Sequence, residues 1–129
     1  MRPMDAGLVV TELFAAFGRR DVDAALALVT ADAELWPQGT ASELDREEPY
    51  RGHSGIRQYF ADIATVWESL VVTPGELRVA GNGVVAFGTA NGRTLAGDVL
   101  DGVPVIWVFR LENGLVRTAR ITPTGPAAT

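Results

Sequence analysis

Apolar positions recur at two different spacings along the 129-residue chain, and the change of spacing falls near its middle. In the first half Val10, Leu13, Phe14 and Phe17 recur at helical spacing, which predicts a helix from about Asp5 to Arg19 that stops near Gly18. Asp21 can cap a second, short helix over Val22–Thr30, with Val22, Ala25, Leu26 and Val29 on one stripe. Ala33–Trp36 reads as a short strand closed by Pro37 and Gly39, and residues 38–50 as an exposed acidic loop. A third helix follows, capped by Ser54. It carries Ile56, Tyr59, Phe60, Ile63, Val66 and Trp67 on a side wide enough to lie against a sheet.

After Ser69 the period shortens to two. Leu70–Val79 is a strand bent or bulged at Pro74-Gly75, and Gly81-Asn82-Gly83 is a tight turn. Val84–Ala90 is a strand with room to continue to about Ala96. Asn91-Gly92 and Asp101-Gly102 are both hairpin signals, and the pattern leaves open which makes the main reversal. Val103–Leu111 is the strongest strand, Glu112-Asn113-Gly114 turns it into Leu115–Thr122, and residues 123–129 read as a frayed tail. Helices followed by strands, with no repeat and no linker, predict a single α+β domain.

Composition narrows the partners. Hydrophobic residues make up 47% and charged residues 21%, which excludes general disorder. The net charge is −5, all 11 bases are Arg, and no basic tract exists, so a nucleic-acid partner is not expected. With no Cys and one His, a disulfide framework, a thiolate nucleophile and a His-rich metal centre are excluded within one chain, and no metal is expected. The glycines never form a phosphate-binding loop leading into a helix, so no cofactor is indicated. Neither a secretory leader nor an apolar run long enough to span a bilayer is present, so no membrane partner is expected and the cytoplasm is the expected compartment.

Four segments together carry a resemblance: the run from Phe14 through Gly18-Arg19-Arg20-Asp21-Val22-Asp23 to Leu26, Ala31-Asp-Ala-Glu-Leu-Trp-Pro37, Tyr50-Arg-Gly-His-Ser-Gly-Ile56, and Val108-Phe-Arg-Leu-Glu-Asn-Gly-Leu-Val116. In order and spacing they resemble the NTF2-like superfamily, in its SnoaL-like and ketosteroid-isomerase-like branch, over roughly residues 8–121. The resemblance implies a cone: a curved antiparallel sheet wrapped over three N-terminal helices, with a pocket inside and homodimerisation through the outer sheet face. It does not by itself assign a reaction. The isomerase base falls on Trp36, its oxyanion-binding Tyr on Leu13 and its Asp on Trp107, so a steroid-isomerase mechanism is disfavoured. The Arg-x-Asp of epoxide hydrolases does not occur, and the Asp base of the SnoaL-like cyclases finds no counterpart.

Strand alternation then proposes the pocket wall. If Trp107 points inward, so do Val105, Phe109 and Leu111, while Ile106, Val108 and Arg110 face out and need the cover a dimer would give. In the last strand, Arg117, Ala119 and Ile121 would share one face, opposite Val116, Thr118 and Arg120. With Leu13, Phe17, Trp36, Tyr50, Tyr59, Phe60 and Trp67, the inward set makes an aromatic cavity suited to an apolar small molecule; the competing reading is a filled core.

Three groups are candidates for chemistry. His53, the one imidazole of the chain, is an acid–base candidate by residue type but stands at a helix entrance, where a surface or capping role competes. Glu34 shares the face of Trp36, and its rival reading is a solvated strand start. Arg117 can neutralise a ligand anion, or reach solvent or pair with an acid across the sheet. Tyr50 either closes the pocket mouth or anchors the acidic loop. Two functions follow: a cofactor-independent isomerase, cyclase or hydrolase of an apolar, polyketide- or terpenoid-like metabolite, or a ligand-binding or accessory dimer without turnover.

Overall fold

The structure, a computed structural model, describes residues 5–124. Helix α1 (Ala6–Gly18) begins where the Asp5 carboxylate accepts from the amide of Gly7 at 2.8 Å, and α2 (Val22–Leu26) where Asp21 accepts from Ala24 at 3.1 Å. Both are side-chain N-caps that satisfy amides the first turn leaves free. Strand β1 (Val29–Pro37) starts earlier than its apolar pattern suggested, taking Val29 and Thr30 away from the second helix. The acidic stretch after it is not all loop. Residues Gln38–Glu43 form α3, whose Thr40 and Ala41 are buried.

After the two-residue β2 (Tyr50–Arg51), α4 runs from Gly52 to Val66. Ser54 lies inside its first turn, and the N-cap position belongs to Arg51, whose side chain makes no capping bond. Trp67 is the first residue of β3 (Trp67–Ala80), which is followed by β4 (Gly83–Thr94), β5 (Val99–Glu112) and β6 (Leu115–Pro123). Of the tail expected over 123–129, Pro123 closes β6, and residues 125–129 lie outside the described residues.

The six strands form one sheet in the order β2-β1-β6-β5-β4-β3, antiparallel throughout except for the parallel pair β1–β6. Neither of the two predicted hairpin signals makes the β4–β5 reversal. The chain turns at 95–98, where Thr94 donates to the carbonyl of Asp98 at 2.8 Å and Gly97 takes a φ of +102°. Asn91 and Gly102 instead face each other below that turn, the Asn91 side-chain oxygen accepting from the Gly102 amide at 2.8 Å.

Curvature comes from breaks in register. The β3–β4 ladder shifts between Pro74 and Leu77, at the bend that Pro74-Gly75 announces, and β4–β5 shifts between Ala90 and Gly92. The concave side receives α1 and α4. There Val9, Val10, Ile56, Tyr59 and Ile63 pack against Val84, Ala86, Val105 and Trp107 in one apolar core. Among the described residues no helix is long and apolar enough to cross a membrane.

Candidate functional site

The core is not filled. Between α1, α3, α4 and the concave sheet face lies a cavity of ≈ 230 Å³. Of the side chains the sequence assigned to a pocket, Leu13 and Phe17 on α1, Tyr59 and Phe60 on α4, Trp67 on β3, and Trp107 and Phe109 on β5 line it. Alternation in β5 places them: Val105, Trp107, Phe109 and Leu111 are buried, while Val108 and Arg110 are exposed. Aromatic contacts tie the walls together. Phe17 stacks on Tyr59 at 6.0 Å between centroids, and Tyr59 also meets Tyr50 at 5.4 Å.

Trp36 is not part of this wall. Between Val29 and Glu34 the register of β1 against β6 shifts, and beyond the shift Ala33, Leu35 and Pro37 point inward. Leu35 therefore holds the place expected for Trp36, which lies on the outer face beside Arg120. The phase of a strand cannot be carried across such an irregularity by counting. Strand β6 makes the same point. Its register with β5 pairs Arg110 with Thr118 but Leu111 with Val116, so Arg117 is the extra, bulged residue. Val116, expected on the outer face, is consequently buried and lines the cavity with Ala119 and Ile121.

That bulge also moves Arg117 out of the inward set. Its guanidinium lies 3.4 Å from Asp32 and 3.5 Å from Glu34, pairing with acids of the neighbouring strand. Glu34 borders the cavity, yet both its oxygens are taken up, one by Arg117 and the other by Arg51 at 3.4 Å. His53 does not reach the cavity. Its Nε2 is 3.4 Å from the carbonyl oxygen of Val29, a weak tether between the start of α4 and β1. The three candidates for chemistry are thus not brought together: Glu34 and Arg117 pair at the β1–β6 seam, and His53 stands apart.

Tyr50 is fully buried but belongs to the packing beneath the cavity. Its hydroxyl donates to Asp62 at 2.7 Å, and the Arg46 guanidinium covers its ring at 3.8 Å from the centroid. Burial, then the bond to the Asp62 carboxylate, pushes the Tyr50 phenol above the ordinary tyrosine range, while nearby Arg46 opposes the shift. Tyr59 is raised as well, chiefly by burial, against the pull of Arg20. Both stay protonated and neutral at physiological pH.

Phe14 and Thr40 are among the wall residues not singled out from the sequence. Phe14 belongs to the helical stripe of α1 and meets Trp107 edge-on, which only the sheet partner reveals. Thr40 lies in the segment read as loop. Its hydroxyl oxygen accepts from the indole nitrogen of Trp67 at 3.1 Å, both groups being buried. The available signal was the run Gln38-Gly-Thr-Ala-Ser-Glu43 after Pro37, short and uncharged until its last residue.

Among the described residues the lining holds no cationic side chain, and its acids are Glu34 and Glu43. Among the described residues no group of three or more His, Cys, Asp or Glu could hold a metal ion. The arrangement can exclude water, grip an apolar molecule by its faces and offer neutral hydrogen-bond donors.

Solved structures of the same architecture are many. An NTF2-like protein of unknown function from Burkholderia pseudomallei superposes with a TM-score of 0.82 at 23% identity, over 94% of this chain and 92% of that one. TerC, co-crystallised with polyporic acid, gives 0.80 at 23% identity over 92% and 91%. A candidate polyketide cyclase from Sinorhizobium meliloti gives 0.71 at 20% identity over 92% and 100%. At these identities the likeness is one of fold. No curated protein matches the chain in sequence. The model of the SnoaL-like domain, however, matches residues 10–119, from the middle of α1 to the cavity face of β6, and the chain belongs to that family.

Proposed function

We propose that this protein takes an apolar small molecule, polyketide- or terpenoid-like, into the cavity and acts on it without a cofactor, as an isomerase, cyclase or hydrolase. The observation that carries this reading is the cavity itself, ≈ 230 Å³ walled by Leu13, Phe14, Phe17, Tyr59, Trp107 and their neighbours, with charge confined to Glu34 and Glu43. Such a wall supplies what ring-forming or isomerising chemistry needs most, a fixed conformation of a flexible apolar chain away from water. A side chain that takes a proton from one position and returns it at another completes an isomerisation or cyclisation, and a hydrolysis adds one admitted water. Glu34 is the group proposed to carry the proton, turning to the cavity border once it is released from Arg51 and Arg117. The polyporic acid complex and the candidate polyketide cyclase support the reading at the level of fold.

The test is a thermal-shift screen of apolar metabolites, followed by turnover assays on each stabilising compound with the wild type and Glu34→Gln. Turnover that falls about 100-fold or more in the variant supports the assignment. Stabilisation without turnover identifies a ligand-binding protein instead, and no stabilisation by any apolar compound sinks the reading.

The outer sheet face is proposed as the seam of a homodimer. Val85, Phe87 and Ile106 are half-buried there and Val108 is exposed, with Trp36 across Arg120 of β6, and an apolar patch of this kind on the adjacent strands β4 and β5 is better covered than wet.

A further inference from the structure

One polar group in the cavity wall carries a proton with no place to go. Thr40 is 4% exposed, and its Oγ1 accepts from Trp67 Nε1 at 3.1 Å. An indole N–H only donates, so in that bond the threonine oxygen is the acceptor and its own proton is left over. Helical threonines commonly return that proton to a carbonyl of the preceding turn. Thr11 does so to Gly7 at 2.8 Å, and Thr65 to Asp62 at 2.9 Å. Thr40 is the third residue of α3; three and four places back stand Pro37, the N-cap, and Trp36, both in β1, and its hydroxyl bonds neither carbonyl. Among the described residues its hydroxyl has no acceptor.

We propose that Thr40 Oγ1 donates to a neutral carbonyl-class oxygen of the ligand, a ketone, quinone or ester, and so selects which apolar molecules the cavity accepts. This rests on the reading of the cavity as a small-molecule site. Accepting from Trp67 polarises the hydroxyl and makes it the better donor. An anionic acceptor is disfavoured, because among the described residues the lining has no cation and Glu43 would repel it. A carbonyl has no proton of its own to satisfy against a carbon wall, which a ligand hydroxyl would have.

The experiment compares α-tetralone with tetralin, its hydrocarbon counterpart, by calorimetric titration and by the infrared carbonyl band of the bound ketone. The wild type is expected to bind both and to lower the band below its position in cyclohexane. In a Trp67→Phe background, which removes the indole N–H that the change would otherwise free, Thr40→Val should cut the preference for the ketone by about threefold to tenfold and move the band back toward its cyclohexane position, with a smaller effect on tetralin affinity. Thr40→Ser, which keeps the hydroxyl, should restore both. A wild-type band at the cyclohexane position overturns the proposal without reference to any variant, as does an unaltered preference in Thr40→Val; either leaves the cavity reading intact. If neither compound binds, the cavity reading falls and takes this inference with it.

Discussion

Phe14 on α1 meets Trp107 on β5 edge-on, with ring centroids 5.0 Å apart and planes at 89°, and the same ring touches Phe109 at 5.8 Å. This contact joins the first helix to the strand at the centre of the cavity wall. Truncating Phe14 to Ala removes both edge contacts and enlarges an existing void, because the sheet side cannot collapse inward. Phe14→Ala should lose about 3–5 kcal/mol of stability, and Phe14→Leu distinctly less. Urea denaturation checks this through a lowered midpoint at unchanged slope.

Alkaline stability depends on the two buried phenols. Tyr50 and Tyr59 are both held above the ordinary tyrosine value of about 10, so each folded phenol keeps its proton at a pH where the unfolded one has lost it. The native state then binds more protons than the unfolded state, and stability falls as pH rises through and beyond 10 while staying flat with respect to these groups below it. The limiting slope is about 1.4 kcal/mol per pH unit for each tyrosine. Denaturation midpoints between about pH 8 and 11 should steepen downward in the wild type and less so in Tyr50→Phe or Tyr59→Phe. An equal slope in all three would remove the phenols as the cause.

The proposed dimer is tested on a residue far from the cavity. Val108 is 42% exposed at the middle of the outer face, between Val85 and Arg120 in register. Val108→Arg places a charge beside Arg120 where two copies would meet, and a buried unpaired guanidinium opposes association by several kcal/mol. Sedimentation should give a dimer for the wild type and a species of 13.7 kDa for the variant, with unchanged far-ultraviolet dichroism. A wild type that sediments as a monomer at micromolar concentration excludes the seam.

What could be read from the sequence follows from which signals are local. The stripe of α1, the cap Asp21, and the inward set of β5 depend on residues a few places apart, and they carry through to the structure. Errors gathered where one strand's phase depends on its neighbour. The register shift in β1 turned Trp36 outward, and the bulge at Arg117 turned Val116 inward. The reversal at 95–98 was hidden because Asn91-Gly92 and Asp101-Gly102, the stronger local turn signals, are spent against each other across the ladder. For the site, the aromatic wall was legible from strand and helix periodicity. Thr40 was not, since its role depends on Trp67, 27 residues away.

Gly92 shows how tightly curvature and cavity are coupled. It stands opposite Leu70 in the β3–β4 ladder, at the shift between Ala90 and Gly92, and a Cβ there would run into the backbone carbonyl of Ser69 and lie 3.2 Å from the Leu70 Cα. Neither obstacle is a side chain that can swing away. Gly92→Ala must therefore push β3 off β4 at Leu70, a cavity residue whose carbonyl also accepts from Arg20 at 2.7 Å and ties the end of α1 to the sheet. A cost of about 1–3 kcal/mol is expected, together with weaker binding of any apolar ligand, since the displaced strand carries Leu70 and Val72 of the wall. Gly97→Ala serves as the control. It strains a turn at φ +102° with no atom within 4 Å of the added carbon, so it should lower stability while leaving ligand affinity alone. Denaturation and ligand titration of both variants separate the two effects, and equal affinities in Gly92→Ala and the wild type would show that the β3 edge of the cavity plays no part in holding the ligand.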